Sequence, residues 1–155
     1  MSMQLVEYFA WTYLGNKETI ALLSKVGLGL VLAQPMLGHL EVFTTYLVPL
    51  AYLGFLGVYF AVQTFDFSMV KAPNGHLSWN WLTKSPLLIS IWLAFLILPF
   101  LYIKKYLFFF TLLITVLISL YTYYKDNTWG SMWCWISNIY SVYLLARVFG
   151  KDVCL

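Results

Sequence analysis

Hydrophobic stretches of helical length, separated by short polar breaks, follow one another along almost the whole chain. After a first apolar piece at 1–14, five longer stretches lie at approximately 19–40, 44–65, 85–103, 106–124 and 129–149. Each of the five has the ~20 residues that an α-helix needs to cross a hydrocarbon core about 30 Å thick. The pattern therefore predicts five spanning helices that follow one shorter helix.

The breaks between the stretches have the composition of turns. GNKE at 15–18 and KDNT at 125–128 are polar, and Lys104 and Lys105 interrupt an otherwise apolar run. Pro86 stands where the first turn of a helix tolerates a proline, because its missing N–H would have no helical partner there. These signals predict where the helices begin and end.

The longest polar connection covers 66–84 and contains its own turn signal, Pro73, Asn74 and Gly75. Trp79 and Trp81 follow this turn. Because an indole ring suits a site with one apolar and one wet edge, we expect both tryptophans in the lipid headgroup layer.

Composition decides what surrounds these stretches. Of the 155 residues, 62% are hydrophobic and 10% are charged, and the mean hydropathy is +0.80. Soluble domains carry about 25% charged residues, and a soluble fold of this length has too little interior for so much apolar surface. Transmembrane strands would show ~10-residue segments with alternating polarity, which these runs lack. The predicted fold class is all-α, a polytopic transmembrane helical bundle forming one membrane domain over 1–155.

The charges and cysteines exclude some partners and chemistries. The net charge of +3 is scattered, and no basic run indicates nucleic acid. Lysines and arginines divide almost evenly between the two predicted sides, so no orientation follows. Cys134 and Cys154 form no metal or redox motif, and we expect no cofactor. The expected partners are the lipid bilayer, further copies of the chain and other membrane subunits.

The first apolar piece, 1–14, is too short to span a bilayer, and it has three interpretations. It is the second half of a helix that begins upstream, an interfacial or re-entrant helix, or a cleaved signal. The signal is disfavoured because a basic start and a small-residue cleavage site are missing. Helical spacing places Gln4, Glu7 and Trp11 on one face, which prefers protein or water to lipid. We favour the half-helix.

Three segments resemble an uncharacterised family of small multipass membrane proteins known chiefly from giant DNA viruses of algae and protists. They are MQLVEYFAW at 3–11, LAQP at 32–35 and WGSMWCWISN at 129–138. In that family a glutamine-glutamate-aromatic helix follows an earlier hydrophobic helix, and a tryptophan-cysteine-aromatic helix closes the membrane region. The family's cysteine-containing first helix is missing from this sequence. The resemblance implies a multipass architecture and a viral source, and no established activity.

Two polar groups inside the apolar stretches are candidate functional sites, since ionisable groups in a bilayer are costly. Glu7 is either a proton or cation site, or a neutral carboxyl bonded to a neighbouring helix or a residue near the interface; we favour the second interpretation. Gln34 shares a helix face with Glu41, whereas His39 lies about 140° round the helix from Gln34 at ~100° per residue. Pro35 leaves a backbone carbonyl without its helical donor, which would help to form a polar pocket. The simpler interpretation, in which His39 and Glu41 lie among headgroups, is favoured.

A stripe of small and weakly polar residues marks one face of the last stretch: Gly130, Cys134, Asn138 and Ser141. Such stripes let membrane helices approach closely, so we interpret it as a packing surface rather than a pore lining.

Signals for catalysis are weak. His39 and Glu41 fall on the opposite predicted membrane side from Asp66 and His76, so the four residues do not form one metal site. Motifs of zinc hydrolases, serine hydrolases and phosphate-binding loops are missing from the sequence. We therefore predict no catalytic residues. The primary hypothesis is a structural or assembly role through helix contacts, and the alternative is a small ion or proton channel or transporter with Glu7 and Gln34 near a polar path.

Overall fold

The computed structural model describes residues 2–42, 47–136 and 138, with residues 2 and 37–42 as backbone only. The structure is 75% helix with little sheet, which confirms the helical fold class. Its elements are α1 (Ser2–Thr12), α2 (Lys17–Val42), α3 (Leu47–Val62), β1 (Met69–Lys71), β2 (Leu77–Trp79), α4 (Asn80–Thr83), α5 (Pro86–Tyr102), α6 (Tyr106–Tyr123) and α7 (129–136).

Polar breaks in the sequence end and start the helices through specific backbone contacts. Asn16 Oδ1 accepts hydrogen bonds at 3.1 Å from the N–H groups of Glu18 and Thr19, which caps α2. Pro86 opens α5 in its first turn. After α5 the backbone of Lys104 takes a positive φ of 59°, which a helix does not allow. A turn is found at the two lysines, as predicted. The turn predicted at 15–18 ends earlier, because Lys17 and Glu18 already belong to the first turn of α2.

Helix α2 is the central element of the described fold. It packs against α1, α3, β1 and α5, and α5 in turn packs against α6. A continuous core of apolar side chains fills the space between these elements. Since α1 runs antiparallel beside only the first part of α2, it does not need spanning length to bury its inner face.

Among the described residues, two helices are long and apolar enough to cross a membrane by length and composition, Lys17–Met36 of α2 and the whole of α6. Helices α3 and α5 lie inside predicted spans and are apolar, but they have 16 and 17 residues. The two longer helices suggest membrane association.

The connection predicted as a polar loop at 66–84 contains a β-hairpin. Met69 pairs with Trp79 and Lys71 with Leu77 in antiparallel register. Gly75, with φ of 83°, turns the chain between the strands, as the proline-asparagine-glycine signal predicts.

Trp79 and Trp81 do not keep an exposed edge, so the prediction that they sit half wet among headgroups is wrong. Each is 1% exposed. The hairpin folds inward against α2, because β2 is apolar enough to join the core. The indole N–H of Trp79 finds a protein partner, the hydroxyl of Ser131, 3.0 Å away.

Asp66 holds the outer end of the hairpin in place. Its carboxylate accepts hydrogen bonds from the Ser68 N–H at 3.0 Å and from Asn80 Nδ2 at 3.1 Å, and it pairs with Lys84 Nζ at 2.6 Å. The hydrogen bond from Lys84, followed by those from Ser68, lowers the pKa of Asp66 well below its usual range. The residues flanking both strands are thereby tied to one carboxylate.

Gly27 of α2 is required by the close approach of Trp79. A Cβ at Gly27 would lie 2.6 Å from ring atom Cζ3 of Trp79, and that ring is rigid and buried. We expect Gly27→Ala to lower the free energy of unfolding by about 1–3 kcal/mol, because an overpacked core must shift. Equilibrium unfolding in detergent micelles, followed by circular dichroism, measures this.

Gly29→Ala is the matched control for that experiment. A Cβ at Gly29 meets nothing within 4 Å, so the same change in the same helix is expected to be neutral or to stabilise by up to about 1 kcal/mol through helix propensity. Equal destabilisation by the two variants would contradict the contact between Gly27 and Trp79.

Candidate functional site

A cleft of about 350 Å³ lies where α1, the turn of the hairpin and α7 meet. Helix α1 contributes the face predicted from its spacing, and two segments more than sixty residues away complete the walls. The lining side chains are Gln4, Glu7, Tyr8 and Trp11 of α1, His76 and Leu77 of the hairpin, and Ser131 and Trp135 of α7.

Glu7 is the buried acidic residue of the cleft, and it is 8% exposed. The Ser131 hydroxyl donates to its Oε1, and the same hydroxyl oxygen accepts the indole N–H of Trp79 at 3.0 Å. Burial raises the pKa of Glu7, and the nearby side chains of Ser131, Trp79, His76 and Trp135 oppose this effect only in part. One serine therefore joins α1, the hairpin and α7.

Two further side chains from α1 shape the cleft. Gln4 Oε1 is buried and has no hydrogen-bond partner among the described residues. Trp11 is 39% exposed, and the ammonium of Lys71 lies 5.5 Å from the centroid of its ring. The cleft thus combines the buried carboxyl group of Glu7 with exposed aromatic rings, and the amide oxygen of Gln4 is buried in its wall.

Gln34 lies elsewhere. It lines a separate small cavity of about 20 Å³ whose other walls are mainly tryptophan and aliphatic side chains. Ser131 borders both this cavity and the cleft at Glu7. The structure therefore brings Gln4 and Glu7 together and leaves Gln34 in different surroundings.

The carbonyl that Pro35 deprives of a helical donor is the one on Val31, four residues earlier. Trp92 of α5 donates its indole N–H to that oxygen at 2.7 Å. In the next position of α2, the carbonyl of Leu32 accepts the hydroxyl of Tyr52 at 3.1 Å. Side chains from neighbouring helices thus satisfy the backbone at the proline instead of leaving a polar pocket there.

The small-residue stripe of the last stretch is partly described. A Cβ at Gly130 would lie 2.2 Å from Leu82 Cδ2, so Gly130 packs closely on that leucine. Cys134 borders the cavity at Gln34, and Asn138 is helical. Ser141 and the side chains of His39 and Glu41 lie outside the described residues.

Sequence reasoning missed the partners of Glu7, namely Ser131, Trp79, His76 and Trp135. Ser131 falls one position beside the predicted stripe, and no local spacing connects it to a residue 124 positions away. The hairpin did have a local signal, since MVK and LSW flank a proline-asparagine-glycine turn and the second strand alternates apolar with polar residues.

The cleft at Glu7 is lined by hydrogen-bonding side chains and aromatic rings. Within the described ranges, no three His, Cys, Asp or Glu side chains gather closely enough to hold a metal ion. Comparisons with protein-family models, with curated proteins and with solved structures found no match to this chain. The resemblance to small viral membrane proteins stays a prediction.

Proposed function

We propose that this chain is a multi-pass integral membrane protein with an assembly role, which it performs through helix contacts with further copies of itself or with other membrane subunits. The surface of α6 supports the membrane placement. Of its residues, Val116 and Ser119 are buried, whereas large apolar side chains such as Leu107, Phe110 and Ile114 are more than half exposed. An uncharged helix with this surface is stable against lipid tails or apolar protein.

The observation that carries the assembly role is an exposed face on α3. Leu47, Leu50, Gly54, Gly57 and Ala61 recur at spacings of three and four and are all exposed. No heavy atom of the described residues lies within 4 Å of a Cβ built at Gly54 or Gly57.

Glycine in a helix interior destabilises it by roughly 0.5–1 kcal/mol relative to alanine. At Gly27 and Gly130 a close contact inside the chain accounts for the glycine, but at Gly29, Gly54 and Gly57 no such contact exists among the described residues. Two of these three glycines lie on the exposed face of α3. Small residues four apart, as Gly57 and Ala61 are, let two membrane helices approach closely. We therefore place the assembly contact on this face.

Gly57→Leu tests the contact. The single chain has space for the leucine, so helix content and thermal stability are expected to stay as in the parent protein. Association is expected to weaken at least about tenfold, because the larger side chain holds the partner helix away. Light scattering in detergent, together with cross-linking in membranes, measures the oligomeric state.

Gly29→Leu is the comparison variant, because Gly29 and Ala33 of α2 are also exposed and four residues apart, and the Cβ position of Gly29 is equally empty. If the contact belongs to α3, this variant leaves association unchanged, whereas loss of association in Gly29→Leu alone or in both variants overturns the placement on α3. A parent protein that is monomeric in membranes and binds no other membrane subunit overturns the assembly role.

A transport path is the second candidate, and the charged cleft at Glu7 is the observation that favours it. The small apolar cavity at Gln34 does not extend that cleft as a polar path. Proton or ion flux into liposomes that is lost in Glu7→Gln would put transport ahead of assembly. If liposomes that contain folded protein show no proton or ion flux, assembly stays the proposed function.

A further inference from the structure

The cleft at Glu7 offers hydrogen-bond acceptors and aromatic rings to whatever enters it. Glu7 contributes a carboxylate that is held in place by Ser131, and Gln4 contributes a buried amide oxygen without a partner among the described residues. Tyr8, Trp11 and Trp135 line the same cleft and are 66%, 39% and 54% exposed.

We propose that this cleft binds an organic ammonium group. An ammonium group beside Glu7 favours the ionised form of the carboxyl group, which burial alone disfavours, and it thereby gains an opposite charge at the site. Aromatic faces attract organic cations through their quadrupole, which is the basis of aromatic ammonium sites in other proteins. A volume of about 350 Å³ lies within the range of ligand sites.

An anion is disfavoured in the same place. The carboxylate of Glu7 would repel it, and the donors nearest to that carboxylate, Ser131 and Trp79, are already engaged with one another and with Glu7. A bound metal ion is disfavoured because Glu7 and His76 bring too few ligands among the described residues. The chemistry left for the cleft is that of a large, weakly hydrated cation.

The ammonium group has two possible sources, a zwitterionic lipid headgroup and a free amine. Glu7 lies five residues before the end of α1, about 7.5 Å along the helix axis, so a group entering from the Trp11 end has a short way to travel. Lys71 stands at that end, beside Trp11. A phosphate attached to the ammonium would meet this lysine, whereas a free amine has no need of it.

The test uses the full chain in a nonionic detergent, titrated with tetramethylammonium chloride and, as reference, with sodium chloride at equal ionic strength. Titration calorimetry is expected to detect saturable binding of tetramethylammonium alone. Glu7→Gln keeps the shape of the side chain and is expected to weaken binding at least about tenfold. Trp11→Leu removes one ring and is expected to weaken it about three- to tenfold.

Glu18→Gln is the matched control, because it removes the same charge from an exposed position outside the cleft. It is expected to bind tetramethylammonium as the parent protein does. Gly57→Leu is expected to bind equally well, because Gly57 lies outside the cleft. The proposal is overturned by absence of saturable binding, by Glu7→Gln binding as tightly as the parent, or by equal loss in Glu18→Gln. Where Glu7→Gln does not fold, unchanged affinity in folded Trp11→Leu protein overturns it instead.

Lipid nanodiscs separate the two sources. If the headgroup is the natural occupant, tetramethylammonium binds in discs of phosphatidylglycerol and is excluded in discs of phosphatidylcholine. If a free amine is the occupant, the two kinds of disc give the same affinity. If tetramethylammonium binds neither in detergent nor in either kind of disc, the proposed site is overturned.

Discussion

Replacement of Trp92 by phenylalanine is expected to lower the free energy of unfolding by about 2–4 kcal/mol. The indole N–H donates to the Val31 carbonyl, which Pro35 leaves without its helical donor. Phenylalanine keeps an aromatic ring but leaves this oxygen buried and unpaired. It also reduces the edge-to-face contact with Trp133, whose ring centroid lies 5.3 Å away. Equilibrium unfolding in detergent micelles measures the loss.

Trp81→Phe is the matched control for this prediction. Trp81 is as deeply buried as Trp92, but its indole N–H has no hydrogen-bond partner among the described residues. Both variants lose the same atoms, so the difference between them, expected at about 1–3 kcal/mol, reports the hydrogen bond to Val31. Equal losses in the two variants would contradict the role given to Trp92.

Pro35→Ala extends the test into a double-mutant cycle. Alanine restores a backbone N–H that can reach the Val31 carbonyl as in an ordinary helix. The cost of Trp92→Phe is therefore expected to fall by about 1–2 kcal/mol in the Pro35→Ala background. Strict additivity of the two changes would mean that the proline and the tryptophan are not coupled through this carbonyl.

Ser131→Ala is expected to destabilise the fold by about 2–4 kcal/mol, because one hydroxyl serves two buried groups. It donates to Glu7 and accepts the N–H of Trp79. Alanine leaves both groups without this partner, and α1, the hairpin and α7 lose their common polar contact. Unfolding of the purified protein in micelles again gives the magnitude, and exchange of the Trp79 indole proton, followed by NMR, reports the local loss.

Ser24→Ala isolates the effect of the hydrogen bonds from that of removing a buried hydroxyl. Ser24 is 0% exposed, and its Oγ has no hydrogen-bond partner among the described residues. The change at Ser24 is therefore expected to be neutral or stabilising, since a buried unpaired hydroxyl is unfavourable. If the Ser131→Ala protein is as stable as the Ser24→Ala protein, the hydrogen bonds of Ser131 do not stabilise the fold as proposed.

Local signals accounted for most helix ends. Asn16, Pro86 and Lys104 act through their own backbone and the next few residues, so their effect is readable from neighbours in sequence. The hairpin has a turn signal in the sequence, but its strands were not predicted because they are short and lie inside a connection that polar composition marks as a loop. Its burial depends on Gly27, about fifty residues away, whose missing side chain makes room for Trp79.

The candidate site was also predicted only in part from local signals. Helical spacing placed Gln4, Glu7 and Trp11 on one face, and all three line the cleft. Gln34 also stood out by its polarity, but it faces a different cavity. Whether two polar residues meet depends on how their helices cross, and spacing within one helix carries no information about that crossing.

The sequence by itself determined the helical fold class, most of the helix ends and the polar face of α1, because helix periodicity, capping and burial of apolar side chains act over a few residues or over total composition. The tertiary structure alone decided which groups satisfy one another: Ser131 with Glu7 and Trp79, and Trp92 with the carbonyl released by Pro35. A buried polar group must find a partner wherever the packing offers one. That choice is made by the geometry of contacts between distant segments.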